Sequence, residues 1–180
     1  SYTHAGSEYT ADRHFNDLPH PSTIHTQRKA LFLFRDPRDT VVSGYFQKIK
    51  RTNNNLASDQ LSDFIRDPRY GIEKVVRFNL AWTNSNNHPS DRAIKAISYE
   101  ALRHSPEIGM KAIYTYLKGH PPSQPEWIEN AVQAASFSRM QLLERSGELG
   151  AKYGKILTPG DQNDVDSFKV RRGKIGGYTD

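Results

Sequence analysis

The chain has 180 residues, 36% hydrophobic and 25% charged, with no cysteine and a formal net charge of +5. That length supports one domain with a real core but not two comfortable ones, and zero cysteines exclude a disulfide framework or a thiolate metal site. A pI near 9.4 and a mean hydropathy of −0.76 favour anionic partners such as nucleotides, nucleic acid, acidic glycans or lipid head groups, and no run approaches the roughly 18 apolar residues of a membrane span.

Residues 1–4 read as the end of a strand, turned away at once by Ala5-Gly6-Ser7. Residues 1–30 carry no apolar signal-peptide core, and the compartment leans towards the cytoplasm. Residues 8–28 are polar and rich in histidine and proline, a long loop with one short helical turn, and loops of that length are often functional. His4, His14, His20 and His25 lack the paired spacing of a metal site.

Residues 30–34, Ala-Leu-Phe-Leu-Phe, are an apolar run bounded by charge, as in a buried strand. From Pro37 the spacing turns helical, with Val41, Val42, Tyr45, Phe46 and Ile49 on one face. Asp36 is placed to cap that helix, Pro37 suits its first turn, and Asp39 sets a carboxylate near the positive end of the dipole. Arg35 therefore sits at the carboxyl edge of an expected parallel sheet, where open α/β folds bind ligands. An arginine and the Ser43 hydroxyl beside a helix start suit an anion such as phosphate. The plain alternative is that Arg35 only pairs with a carboxylate and Ser43 is a tolerated small residue.

Lys48 to Arg51 make a basic helix end, and Ser58 is expected to cap another helix that Asp67-Pro68 interrupts. Residues 71–84 show a broad helical face of Ile72, Val75, Val76, Phe78, Leu80 and Trp82. Residues 92–99 return to a short strand, followed by helices over 100–104 and 106–117, then 126–135 and 136–143. Near the end, Lys169-Val170-Arg171-Arg172-Gly173-Lys174 places four cations in six positions ahead of Gly176 and Gly177. Such a segment can wrap a phosphate with amides and guanidinium groups, or be a basic tail or nucleic-acid patch.

Resemblance decides between these readings. Arg35, Pro37, Asp39, Ser43 and Tyr45, in the order Arg-x-Pro-x-Asp-x-x-x-Ser-x-Tyr, resemble the second signature of the sulfotransferases that use 3′-phosphoadenosine 5′-phosphosulfate (PAPS). Arg171 to Tyr178, Arg-Arg-Gly-Lys-Ile-Gly-Gly-Tyr, is similar to that family's Arg-Lys-Gly-x-x-Gly-Asp-Trp loop, with Gly177 in place of aspartate and Tyr178 in place of tryptophan. Between them, Tyr99-Glu100 with Pro106, and Ser136-Phe137 with Met140, resemble the family's adenine-contacting segments in the same order.

The resemblance implies an α/β domain of the P-loop-like sulfotransferase type, with a mostly parallel sheet flanked by helices. It further implies that Arg35, Ser43, Arg171, Arg172 and Gly173 hold the nucleotide's 3′-phosphate, that Tyr99 and Phe137 contact adenine, and that no metal is needed. Thr3-His4 is similar to the strand-end Thr-His that supplies the general base, with His14 as the alternative. The family's first signature, a 5′-phosphosulfate loop on the first strand, has no counterpart here. The 180 residues are therefore expected to be a single, partial domain of a longer chain, lacking that strand and loop. The implied reaction moves a sulfuryl group from PAPS to an acceptor hydroxyl or amine, leaving 3′-phosphoadenosine 5′-phosphate. Small-molecule, glycan and lipid acceptors are all open, a nucleic-acid partner is disfavoured, and oligomeric state is not legible. The rival is a non-catalytic nucleotide- or polyanion-binding module of the same fold.

Overall fold

A computed structural model describes residues 13–17, 29–51, 59–84 and 94–180. Strand β1 (Ala30–Phe34) pairs in parallel with β2 (Ile94–Ser98), Ala30 opposite Ile94 and Phe34 opposite Ser98. Each strand runs straight into a helix, α1 (Pro37–Lys50) after β1 and α4 (Tyr99–His104) after β2. The two strand-to-helix junctions therefore lie side by side at one edge of the sheet, as the parallel register requires.

Both junctions are built by short polar side chains. Asp36 accepts from the Arg38 amide, and the Arg38 guanidinium holds its carboxyl below the usual value. Ser98 Oγ accepts from the Ala101 amide at 3.1 Å. Glu100 ties one junction to the other, accepting from the Asp36 amide at 3.0 Å.

Helices α2 (Leu61–Arg66) and α3 (Ile72–Thr83) pack on α1. Phe78 and Trp82 of α3 bury Phe32 of the sheet, while Val75 of α3 and Phe64 of α2 bury Val41 of α1. The remaining described helices are α5 (Pro106–Lys118), α6 (Glu126–Ala134), α7 (Phe137–Arg145) and α8 (Glu148–Tyr153). Gly109 of α5 lies against Leu102 of α4 and Ile97 of β2, where a β-carbon would push the leucine aside. The result is an α/β fold with a parallel strand pair flanked by helices, as the sequence implies.

Four local expectations change. Ser58 lies outside the described residues, and Gln60 takes the N-cap of α2 without a side-chain bond. Leu80 does not join the buried face of α3 and is 59% exposed. The faces of α1 are divided between neighbours: Val41 enters the α2–α3 core, whereas Phe46 lies under the Arg171 guanidinium at 3.8 Å. Helix α8 is not anticipated, because three glycines at 147, 150 and 154 leave little apolar pattern around Leu149.

Candidate functional site

The parallel register brings Arg35 and Tyr99 to adjacent strand ends, and the arginine's guanidinium lies 4.7 Å from the tyrosine ring centre. Arg35 donates to the Lys174 carbonyl at 2.9 Å and pairs with Asp39 at 3.2 Å. Its buried Nε has no hydrogen-bond partner. The carboxylate alternative thus holds for one face of the guanidinium and leaves a buried N–H uncommitted.

Asp39 does more than favour the helix dipole. Its side chain is 1% exposed and accepts from the Gly176 amide at 2.9 Å and the Tyr178 amide at 3.0 Å. These bonds dock the C-terminal glycine segment onto the first turn of α1. The Tyr178 ring then lies under Arg38, 4.0 Å from its guanidinium carbon. Gly176 (φ 74°) makes the required turn in the left-handed region, where a β-carbon is strained.

The other end of the basic segment hangs from Glu144 of α7. This fully buried carboxylate accepts from the Lys169 and Val170 amides, both at 2.7 Å, and faces Arg51 at 3.4 Å. Gln141, one turn earlier, donates to the Val170 and Arg171 carbonyls. Two helices therefore hold a segment whose composition alone reads equally well as an unstructured tail.

Together these anchors enclose a cavity of about 260 Å³. All seven residues expected at a nucleotide site line it: Arg35, Ser43, Tyr99, Phe137, Arg171, Arg172 and Gly173. Lys169, Lys174 and Asp39 line it too; Asp39 pairs with Arg35, Asp166 with Arg171 and Arg172, and Asp180 with Arg172 and Lys174. Phe137 begins α7 and is wedged against Gly173, with Arg103 on its ring at 5.5 Å. Gly173 has φ 58°, and any β-carbon there would collide with the Phe137 ring. Gly173→Ala is expected to cost about 1–3 kcal/mol through this strain, measured as a lowered thermal unfolding midpoint.

Desolvation, then the neighbouring Arg51, pulls the Lys169 ammonium below the usual lysine value, with Glu144 opposing, although the residue as a whole stays exposed. A second cavity of about 380 Å³ adjoins the first, sharing Arg35, Ser43, Tyr99, Lys169 and Arg171, with apolar walls from Phe32, Phe34, Phe46 and Phe78.

His14 is not part of this cluster. His4 lies outside the described residues. His14 lines neither cavity; its Nδ1 accepts from the Asn16 amide, and its neighbour Phe15 packs under Arg77 of α3.

A family model for the sulfotransferase domain matches residues 7–179. The chain belongs to the sulfotransferase domain family. No curated protein matches it significantly. Among the described residues, this sulfotransferase domain has no helix long and apolar enough to cross a membrane and no group of three or more metal-ligating side chains.

Sequence reasoning missed Asp39 as a docking point and Glu144 altogether. Asp39 stood inside the quoted signature, but only its helix position was legible. Glu144 offered no signal, since its partners are backbone amides far along the chain.

Proposed function

We propose that this domain is a PAPS-dependent sulfotransferase whose cationic cavity holds the 3′-phosphoadenosine part of the nucleotide. The observation that carries this reading is the convergence of Arg35, Ser43, Tyr99, Phe137 and Arg171 to Gly173, from four separated segments, on one cavity. The unpartnered, buried Arg35 Nε is a donor that an oxyanion would satisfy, and with the arginine and lysine side chains lining the cavity it fits a phosphate.

When bound, the nucleotide supplies a sulfuryl group activated on its 5′-phosphate, for transfer to an acceptor hydroxyl or amine. The chain's own contribution on this side is positioning and charge neutralisation. Arg35, Ser43, Arg171, Arg172 and the Gly173 amide hold the 3′-phosphate, while Tyr99 and Phe137 offer aromatic surfaces to adenine. His4 takes the acceptor's proton, with His14 as the alternative base.

Calorimetric titration with 3′-phosphoadenosine 5′-phosphate, against AMP, tests the nucleotide assignment. Selective binding of the bisphosphate is expected, and Arg35→Ala and Arg171→Ala should each weaken it by roughly 10- to 100-fold, the worth of a hydrogen bond to a charged group. Equal affinity for the two nucleotides would remove the 3′-phosphate from the account.

A further inference from the structure

Among the described residues, every cation lining the cationic cavity but one is paired with a carboxylate. Arg35 faces Asp39 at 3.2 Å, Arg171 and Arg172 share Asp166, and Asp180 holds Arg172 and Lys174. Lys169 lines the same cavity without such a partner. Its ammonium has no described carboxylate within ion-pair distance and donates instead to the neutral Gln47 Oε1 at 3.2 Å.

The nearby Glu144 is committed elsewhere, since it faces Arg51 and accepts from the Lys169 and Val170 amides. Those two bonds fix the main chain at Lys169, so its side chain leaves from a held position. The head reaches α1 one turn beyond Ser43, because Gln47 follows that serine by four residues on the same helix face. Lys169 also lines both cavities, as do Arg35, Ser43 and Arg171 among the residues assigned to the phosphate. The ammonium stands where those three converge.

We infer that Lys169 is a further ligand of the phosphate held by Arg35, Ser43 and Arg171, and the one that brings a positive charge no carboxylate already counters. The inference rests on the phosphate-binding reading above. An anion arriving at Arg171 or Arg172 competes with Asp166 and Asp180 for donors that they already hold, so part of its gain is lost in the exchange. At Lys169 it displaces only an amide oxygen. Desolvation and the neighbouring Arg51 disfavour the ammonium's charge, with Glu144 opposing, and a phosphate beside it offsets that cost.

The test is calorimetric titration of 3′-phosphoadenosine 5′-phosphate against wild type, Lys169→Met and Lys169→Arg. Methionine keeps an unbranched apolar chain and removes the charge, whereas arginine keeps the charge. Lys169→Met should weaken binding about tenfold, the lower end for a hydrogen bond to a charged group, and Lys169→Arg should restore most of that loss. Adenosine, which carries no phosphate, should bind all three alike. Unfolding midpoints no lower than wild type would show that the variants are folded, as expected while Glu144 keeps its bonds to the main chain.

Unchanged bisphosphate affinity in folded Lys169→Met overturns the proposal. So does a loss that adenosine shares, or one that Lys169→Arg leaves in place, since either makes Lys169 a packing residue. The nucleotide reading fails separately, through a wild type that binds AMP as tightly as the bisphosphate. Inorganic phosphate is then the probe: its affinity, followed by NMR titration, should still fall about tenfold in Lys169→Met, and an unchanged value would overturn the role of Lys169 too.

Discussion

Asp39→Ala is expected to release the 174–180 segment and destabilise the domain by about 3–5 kcal/mol, the usual cost of removing one partner from a buried charge pair. The carboxylate is almost wholly buried and serves three groups: the Gly176 and Tyr178 amides and the Arg35 guanidinium. Alanine leaves two amides without their acceptor and a half-buried cation without its partner. Urea denaturation measures the loss. Hydrogen exchange locates it, since protection at Gly176 and Tyr178 should fall well before that of the β1–β2 ladder. Asp39→Asn should be intermediate, because an amide oxygen can accept from one backbone N–H while its NH2 faces the other donors. Unchanged protection at both glycine-segment amides would show that the segment docks by other contacts.

The second large effect is expected at Glu144, on the opposite anchor. Glu144→Ala should cost a further roughly 3–5 kcal/mol, because it removes the carboxylate facing the buried Arg51 guanidinium and the acceptor of the Lys169 and Val170 amides. Arg51 keeps its bond to the Ser167 carbonyl at 2.7 Å, so the loss falls on the ion pair and the two amides. Replacing both charges, as Arg51→Met with Glu144→Gln, should recover part of the loss, since glutamine still accepts from an amide and no charge remains to be desolvated. Strict additivity of the Arg51→Met and Glu144→Gln single losses in urea unfolding would mean that the ions are not coupled. Both anchors hold the same basic segment from different helices, so both substitutions should also weaken binding of 3′-phosphoadenosine 5′-phosphate, beyond their effect on stability.

Much of the architecture is legible in the sequence because it rests on local signals. The apolar run before Arg35, the Asp36 cap and Pro37 specify a strand entering a helix, and the structure has that junction at Ala30–Phe34 and Pro37–Lys50. The period of residues 71–84 marks a buried face of α3 through Val75, Phe78 and Trp82. Where local signals mislead, a neighbour is the reason. Helix α1 is not simply amphipathic because it lies between α3 and the basic segment, and Leu80 stays exposed because, two residues from both Phe78 and Trp82, it lies on the opposite side of α3.

By itself the sequence determined the α/β class, the strand-to-helix edge bearing Arg35, the family signatures and the seven residues that line the cationic cavity. The class and the edge follow from short-range spacing and residue chemistry, and the seven residues from the resemblance to the sulfotransferase signatures. Only the tertiary structure decided how the basic glycine segment is held, which carboxylates oppose its arginines and that His14 stands apart from the cavity. Asp39 meets Gly176, Glu144 meets Lys169, and Arg35 meets Lys174 across long stretches of chain. A backbone amide or carbonyl is the same group at every residue, so a bond between a side chain and a distant main chain leaves no mark in the sequence of its partner.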